Sequence, residues 1–141
     1  DLQYEYTRQL SNFTARAAWV HEDQKRHASV LLGGADNLSN HLNTLALSAS
    51  YLYDQTYGLN LAYNHITGSS DTTLYGGSPN SDYYTAQLDW LPLNKHASPQ
   101  AAYGTFDPKI SLQYVAYTKL DGISSNASDN NTLYLQAWLA F

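Results

Sequence analysis

The sequence predicts an all-β fold of antiparallel strands, and three observations lead to that prediction. Seven segments alternate between apolar and polar residues with a period of two, which is the side-chain period of a strand. No segment has a convincing 3.6-residue apolar stripe of the kind that a surface helix shows. The 13 Tyr, against 3 Phe and 3 Trp, add a residue type that favours strands.

The segments follow one another along the whole chain. They are about Leu2–Arg8, Phe13–Glu22, Leu42–Tyr53, Tyr57–Ile66, Asp82–Leu91, Ile110–Leu120 and Leu133–Phe141. From the second segment on, the apolar positions are Phe13, Ala15, Ala17 and Trp19; Leu45, Leu47, Ala49, Tyr51 and Tyr53; Tyr57, Leu59, Leu61 and Tyr63; Tyr84, Ala86, Leu88 and Trp90; Ile110, Leu112, Tyr114 and Ala116; and Leu133, Leu135, Ala137, Leu139 and Phe141. The stretch Ser29–Leu42 comes nearest to a helical pattern, but Gly33 and Gly34 interrupt it, so we predict a loop there.

Composition excludes several classes of protein. The chain has no Cys, which excludes disulfides, thiolate metal sites and covalent c-type haem on this chain. Its net charge of −5 argues against a nucleic-acid partner. No run approaches the roughly 18 apolar residues of a membrane-spanning helix. The chain also lacks Met, so we expect that the sequence starting at Asp1 is processed, truncated or a fragment.

The last segment carries the most specific signal, because it alternates up to an aromatic residue, Phe141, and stops there. Chain termini are usually frayed and solvated, so an apolar strand is an unusual end for a soluble protein. In a membrane barrel, by contrast, aromatic residues belong at the boundary between lipid and water. The tail resembles the C-terminal signature of Gram-negative outer-membrane β-barrel proteins, which end on Phe. We therefore predict an antiparallel transmembrane β-barrel, whose main alternative is a soluble sandwich or lipocalin-like barrel.

The connections fit this prediction when Phe141 is taken to be periplasmic. Three long connections are then external: Asp23–His41, His65–Ser81 and Thr118–Asn131. Two short ones are periplasmic: Gln9–Asn12 and Asp54–Tyr57. Outer-membrane barrels show this asymmetry, although the periplasmic Pro92–Pro108 has an apparent insertion. We expect residues 1–141 to be a single β-barrel domain or the C-terminal segment of one, and the second is favoured because the first strand would start outside.

Aromatic residues fall near the ends of the segments and predict two membrane-interface girdles. The girdle and the C-terminal signal comprise Phe13, Trp19, Tyr53, Tyr57, Tyr63, Tyr84, Trp90 and Phe141. The opposite, polar faces would line a lumen. That lumen would carry a row of rings, Tyr83, Tyr117, Tyr134 and Trp138, and charges at Arg16, Glu22, Asp89 and Lys119. Such rings would stack on passing solutes or simply pack across strands, and the charges would filter ions or form ion pairs in the wall.

The run T-L-Y-L-Q-A-W-L-A-F, with S-N-A-S-D-N-N and S-L-Q-Y-V-A-Y-T-K before it, resembles a porin-like family of proteobacterial outer-membrane proteins. The resemblance is best over Leu42–Phe141, and some members of that family occur beside c-type cytochromes. It implies the lipid bilayer as environment, delivery by a signal peptide, insertion by the barrel-assembly machinery and location in the bacterial outer membrane. Two further associations are possible: with a periplasmic or barrel-inserted c-type cytochrome, and with other copies of the chain in a homo-oligomer.

These observations predict a porin-like channel for passive passage of small polar solutes or ions. One alternative is a barrel sheath that holds a separate multihaem cytochrome for electron transfer across the outer membrane. Another is an adhesion or receptor barrel that acts through its long external loops. No enzyme is predicted, because there is no nucleophile motif such as G-x-S-x-G. No metal site or cofactor is predicted either, since the five His lack ligand spacing such as HExxH.

Overall fold

The computed structural model describes residues 1–93 and 107–140, which form one seven-stranded antiparallel sheet in the order β1 to β7. The strands are β1 Leu2–Arg8, β2 Ser11–Lys25, β3 Ser39–Tyr53, β4 Tyr57–Gly68, β5 Ser81–Trp90, β6 Asp107–Lys119 and β7 Thr132–Ala140. Each strand pairs with its neighbours in the chain, which makes a simple meander. The predicted all-β, antiparallel architecture with seven strands is confirmed.

The prediction of a loop over Ser29–Leu42 was wrong at both ends. A short helix, α1, spans His27–Leu31, and β3 already begins at Ser39. The reason is the β2–β3 ladder, which continues to the pair Lys25 and Ser39 and carries both strands beyond their apolar stretches. A second short helix, α2, spans Thr72–Tyr75, and a 3-10 turn spans Ala127–Asn130.

The sheet is open. Within the described residues β1 pairs only with β2 and β7 only with β6, so no ladder joins the two edges into a closed barrel. The two ends of the sheet differ, and we call them the turn end and the loop end. At the turn end β3 and β4 are joined by a tight turn in which Asp54 and Gln55 both have φ of 53° and the Thr56 N–H donates to the Tyr53 carbonyl at 3.0 Å. At the loop end the connections are long: residues 26–38, 69–80 and 120–131.

The register gathers the apolar residues on one face of the sheet, which we call the apolar face. One row crosses it from β2 to β7: Ala15, Ala49, Leu61, Ala86, Tyr114 and Leu133. The other face, here the polar face, carries rows such as Asn60, Gln87, Gln113 and Tyr134. The period-two pattern therefore predicted correctly which residues share a face.

Exposure is inverted relative to a water-soluble sheet. The only buried apolar residues in the described part of the chain are Ala35 and Ala127, both in loops. On the apolar face Leu135 is 78% exposed and Leu88 is 58% exposed, whereas on the polar face Asp89 and Ser111 are buried. Along β4 and β5 most apolar-face residues are more exposed than their polar-face neighbours. On these two strands the polar side chains are therefore the less accessible ones.

No helix in residues 1–93 or 107–140 combines the length and the hydropathy that a membrane-crossing helix needs.

Candidate functional site on the polar face

A buried carboxylate is the centre of the polar face near the turn end. Asp89 of β5 accepts hydrogen bonds from the Ser111 hydroxyl at 2.6 Å and from the Gln87 amide at 2.8 Å, both on Oδ1. Asn60 of β4 donates to Oδ2 at 2.8 Å. The Lys109 ammonium lies 3.2 Å from Oδ1. A buried charge is stable only when it is paired and hydrogen-bonded, and Asp89 meets both conditions.

The register of the strands explains how three of them converge on this carboxylate. Asp89 pairs with Ser111 on one side and with Gly58 on the other, and Asn60 and Gln87 are one step along the same face. A Cβ at Gly58 would lie 3.0 Å from Cβ of Asp89, so glycine leaves the space that the carboxylate needs. The Gln113 amide donates to Oε1 of Gln87 at 2.8 Å and extends the network along β6. We call the following residues the Asp89 network: Gly58, Asn60, Gln87, Asp89, Lys109, Ser111 and Gln113.

Of the four charges predicted for the polar face, Asp89, Arg16 and Glu22 share it. Arg16 pairs with Gln3 and Ser48, and Glu22 lies near the loop end, where its carboxylate accepts a hydrogen bond from Gln24 at 2.9 Å. Lys119 is set apart from them. The register shifts between Asp82 and Tyr83, so that Lys119 pairs with Asp82, and Asp82 in turn pairs with His65 at the loop end.

The predicted aromatic row also lies on the polar face, in two parts. Tyr83 and Tyr117 are directly paired, and their ring centroids are 5.3 Å apart. Tyr134 pairs with Gln113 and Trp138 with Lys109, so both lie nearer the turn end than the Tyr83–Tyr117 pair. The two parts therefore form a stepped line rather than a ring at one level.

The predicted girdle residues form two bands on the apolar face. At the turn end Tyr53, Tyr57 and Trp90 are paired across three neighbouring strands, and Phe13 pairs with Tyr51. At the loop end Tyr63 and Tyr84 are paired, with ring centroids 4.9 Å apart, and Trp19 pairs with Leu45. Phe141 lies outside the described residues, as does most of the predicted insertion within Pro92–Pro108.

The loop end is held together by two aspartates that cap each other's loops. Asp71, which is 1% exposed, accepts hydrogen bonds from the backbone N–H groups of Asp36, Asn37 and Leu74 at 3.0–3.2 Å and from the Asn40 amide at 3.0 Å. In return, the carboxylate of Asp36 accepts from the hydroxyls of Thr72 and Thr73 and from the Thr73 backbone N–H. Residues 26–38 and 69–80 are thereby joined, and we call this arrangement the loop clamp.

The loop clamp shifts the acidity of its carboxyl groups. Burial of Asp71 opposes ionisation, but the hydrogen bonds from Asn40, Asp36, Leu74 and Asn37 outweigh it and lower the pKa to about 2 from 3.8. The hydrogen bonds from Thr72 and Thr73 likewise lower the pKa of Asp36. Both groups are therefore held as carboxylates, which makes them structural acceptors rather than proton donors at neutral pH.

Several polar pairs at the loop end escaped the sequence analysis. His65 Nδ1 contacts the Asp82 carboxylate, which also accepts from the Tyr63 hydroxyl at 3.2 Å. The Ser69 hydroxyl lies 2.8 Å from His41 Nδ1 and also accepts a hydrogen bond from the His41 backbone N–H at 3.1 Å. Neither pair has a sequence motif, because the partners come from different strands or from a strand and a loop. Within the described ranges no three His, Asp or Glu side chains cluster as a metal site would require.

Comparison of the chain with protein-family models, curated proteins and solved structures finds no match.

Proposed function

We propose that this chain is part of an outer-membrane β-barrel whose polar face lines a water-filled passage for small polar solutes or ions. The observation that carries the proposal is the inverted exposure of the sheet. Leu47, Leu88, Leu135 and Leu139 are 40%, 58%, 78% and 52% exposed, and residues 1–93 and 107–140 provide no layer that covers them. Soluble proteins rarely expose an apolar surface of this extent, whereas lipid removes the cost of exposing it.

The aromatic bands support the same environment. Phe13 and Trp19, Tyr57 and Tyr63, and Trp90 and Tyr84 are each six residues apart, which is about 20 Å along a strand. Because the strands of a membrane barrel are tilted by about 35–45°, this spacing projects to about 15 Å along the membrane normal, so both rows of rings would lie within the apolar band of about 25 Å. Two residues beyond the loop-end band, the same face turns polar at His21, His65 and Asp82.

The open edges set a condition on this proposal. Backbone N–H and C=O groups cannot stay unpaired in hydrocarbon, so β1 and β7 need partner strands in the membrane. We propose that further strands, from the same polypeptide or from a second copy, close the sheet into a barrel around its polar face. The lower exposure of the polar face along β4 and β5 supports closure around that face.

Conductance tests the passage directly. The full-length protein, reconstituted into a planar bilayer, is expected to give stepwise ionic currents that scale with salt concentration. The protein could instead insert into the membrane, so that detergent but not carbonate extracts it, and give no current. That result would overturn the proposed channel but would still be consistent with a membrane barrel. Recovery of the protein as a soluble monomer that does not bind lipid vesicles would overturn both the channel and the membrane barrel.

A second candidate is the sheath around a separate multihaem cytochrome, and one observation favours it. On β3 and β4 the middle of the polar face is a wall of small, uncharged residues: Ala46, Ser48, Ser50 and Ala62. Such a wall leaves room for a folded partner, whereas a narrow pore needs bulky side chains. A sheath would show no ionic steps on its own and would co-purify with a haem-containing protein from outer membranes.

A further inference from the structure

Trp138 lies on the wrong face for a lipid anchor. It is 62% exposed on the polar face, next to Lys109 in the adjacent strand, whereas the other two Trp residues, Trp19 and Trp90, lie on the apolar face. A large ring exposed among polar groups is available to a solute rather than to hydrocarbon. Its surroundings therefore decide what it would bind.

The surroundings of Trp138 form a depression of about 400 Å³ lined by Lys109, Ser111, Gln136 and Trp138. The four residues are two direct cross-strand pairs, Lys109 with Trp138 and Ser111 with Gln136. This volume lies within the range of about 300–1,000 Å³ that is typical of small-molecule sites. An apolar ring beside a few placed polar groups is also the usual composition of such a site.

The polar groups are held in place by the Asp89 network. Asp89 accepts a hydrogen bond from the Ser111 hydroxyl and pairs with the Lys109 ammonium, which has three N–H donors in all. Gln136 is exposed and offers an amide donor and a carbonyl acceptor. Since Lys109 and Asp89 are opposite charges 3.2 Å apart, the depression carries little net charge.

We propose that this depression is a binding subsite for a neutral sugar. The C–H face of a sugar ring is apolar and would stack on Trp138, because the face of an aromatic ring is electron-rich. Its hydroxyls would accept from Lys109 and exchange hydrogen bonds with Gln136. The paired charges of Lys109 and Asp89 favour a neutral ligand over an acidic one. This inference rests on the proposed passage and names a class of solute for it.

The test uses tryptophan emission, which does not depend on conductance. The full-length protein, folded in a detergent without a sugar headgroup, is titrated with maltose. Its emission is expected to change and to saturate at about millimolar maltose. Trp90→Phe is the matched control and keeps the response, whereas Trp138→Phe loses it. Gln136→Ala keeps the reporter and shifts the midpoint about tenfold higher.

The outcomes separate this inference from the proposed function. No response to maltose, or a response that Trp90→Phe loses and Trp138→Phe keeps, overturns the subsite even if the protein conducts ions. Tighter binding of glucuronate than of maltose overturns the neutral class, because the Lys109 charge would then dominate. Saturable binding in a protein that gives no current keeps the subsite and overturns the passage.

Discussion

The two faces of the sheet are made of the same strands but are held in opposite ways. On the apolar face side chains such as Leu61 and Leu88 are exposed and rely on their surroundings. On the polar face Asp89 and Ser111 are buried and hydrogen-bonded to neighbours in adjacent strands. In a water-soluble sheet the buried side would be the apolar one. The comparison teaches that contacts within this chain are mainly polar. The apolar side chains must find their contacts outside the chain, and we propose that lipid provides them.

The strongest way to break this comparison is to put a charge on each face at the same level. Leu61→Arg places it on the apolar face and Ala62→Arg on the polar face, one residue along β4. We expect Leu61→Arg to reduce folding into lipid vesicles by about 2–4 kcal/mol, because an Arg at the bilayer midplane must be desolvated. Ala62→Arg, facing water, should fold nearly as well as the wild type.

Folding into vesicles of a short-chain phosphatidylcholine, followed across a urea series, measures both variants. Equal losses for the two substitutions would contradict the assignment of the faces. A larger loss for Ala62→Arg would reverse it.

The polar face is tested by removing its central acceptor. Asp89→Ala takes away the partner of Ser111, Asn60, Gln87 and Lys109, so we expect a loss of about 1–3 kcal/mol in the free energy of unfolding. Urea unfolding of the detergent-folded protein gives the value. Thr85→Ala is the matched control, since Thr85 has the same strand and face but lies outside the Asp89 network. Equal effects of the two substitutions would mean that the Asp89 network does not contribute specifically to the free energy of unfolding.

The loop clamp sharpens the comparison, because its buried carboxylate belongs to neither face. Asp71→Ala removes the cap of α2 and the acceptor for the Asp36 and Asn37 N–H groups. We expect a loss of about 1–2 kcal/mol that is local to the loops. Limited proteolysis should then cut residues 26–38 and 69–80 faster while the strands stay protected. Asp129→Ala, at an exposed loop position, is the control and should leave cleavage unchanged.

The smallest expected effect is a dependence of the loop clamp on pH. The pKa of Asp71 is about 2 in the folded chain against 3.8 ordinarily, so the folded state favours the carboxylate. Its contribution is complete above about pH 4 and is lost as the pH falls towards 2. Hydrogen exchange at the amides of Asp36, Asn37 and Leu74 should therefore speed up in that window. In Asp71→Asn this dependence should become weaker and keep only the part that comes from Asp36, whose pKa is also lowered; an unchanged dependence would mean that Asp71 does not cause it.

The strands were predictable because each one can be recognised from its own short stretch of sequence. A residue such as Leu59 or Leu88 is recognised as apolar-face from its own neighbours two positions away, with no knowledge of any other strand. Strand ends were less predictable. The β2–β3 ladder continues through polar residues to Lys25 and Ser39, because backbone pairing does not require apolar side chains.

The candidate site was only partly predictable for a related reason. Asp89 was recognised as an inward charge, but its partners depend on the register between β4, β5 and β6, which alternation does not specify. Lys109 was missed because the predicted strand began at Ile110, one residue too late. The pairing of the loops through Asp36 and Asp71 was not predicted, since a capping bond between loops about 35 residues apart leaves no local pattern.

By itself, the sequence determined the strands, the division of residues between the two faces and the absence of thiol chemistry, because each of these depends on one residue type or on a period of two. Only the tertiary structure decided which polar groups meet. Pairing strands in register brought Asp89 to Lys109 and Trp138 to the same lysine, and folding the loops together joined Asp36 to Asp71. Such contacts form between groups far apart in the chain, so they exist only once the backbone has been brought together.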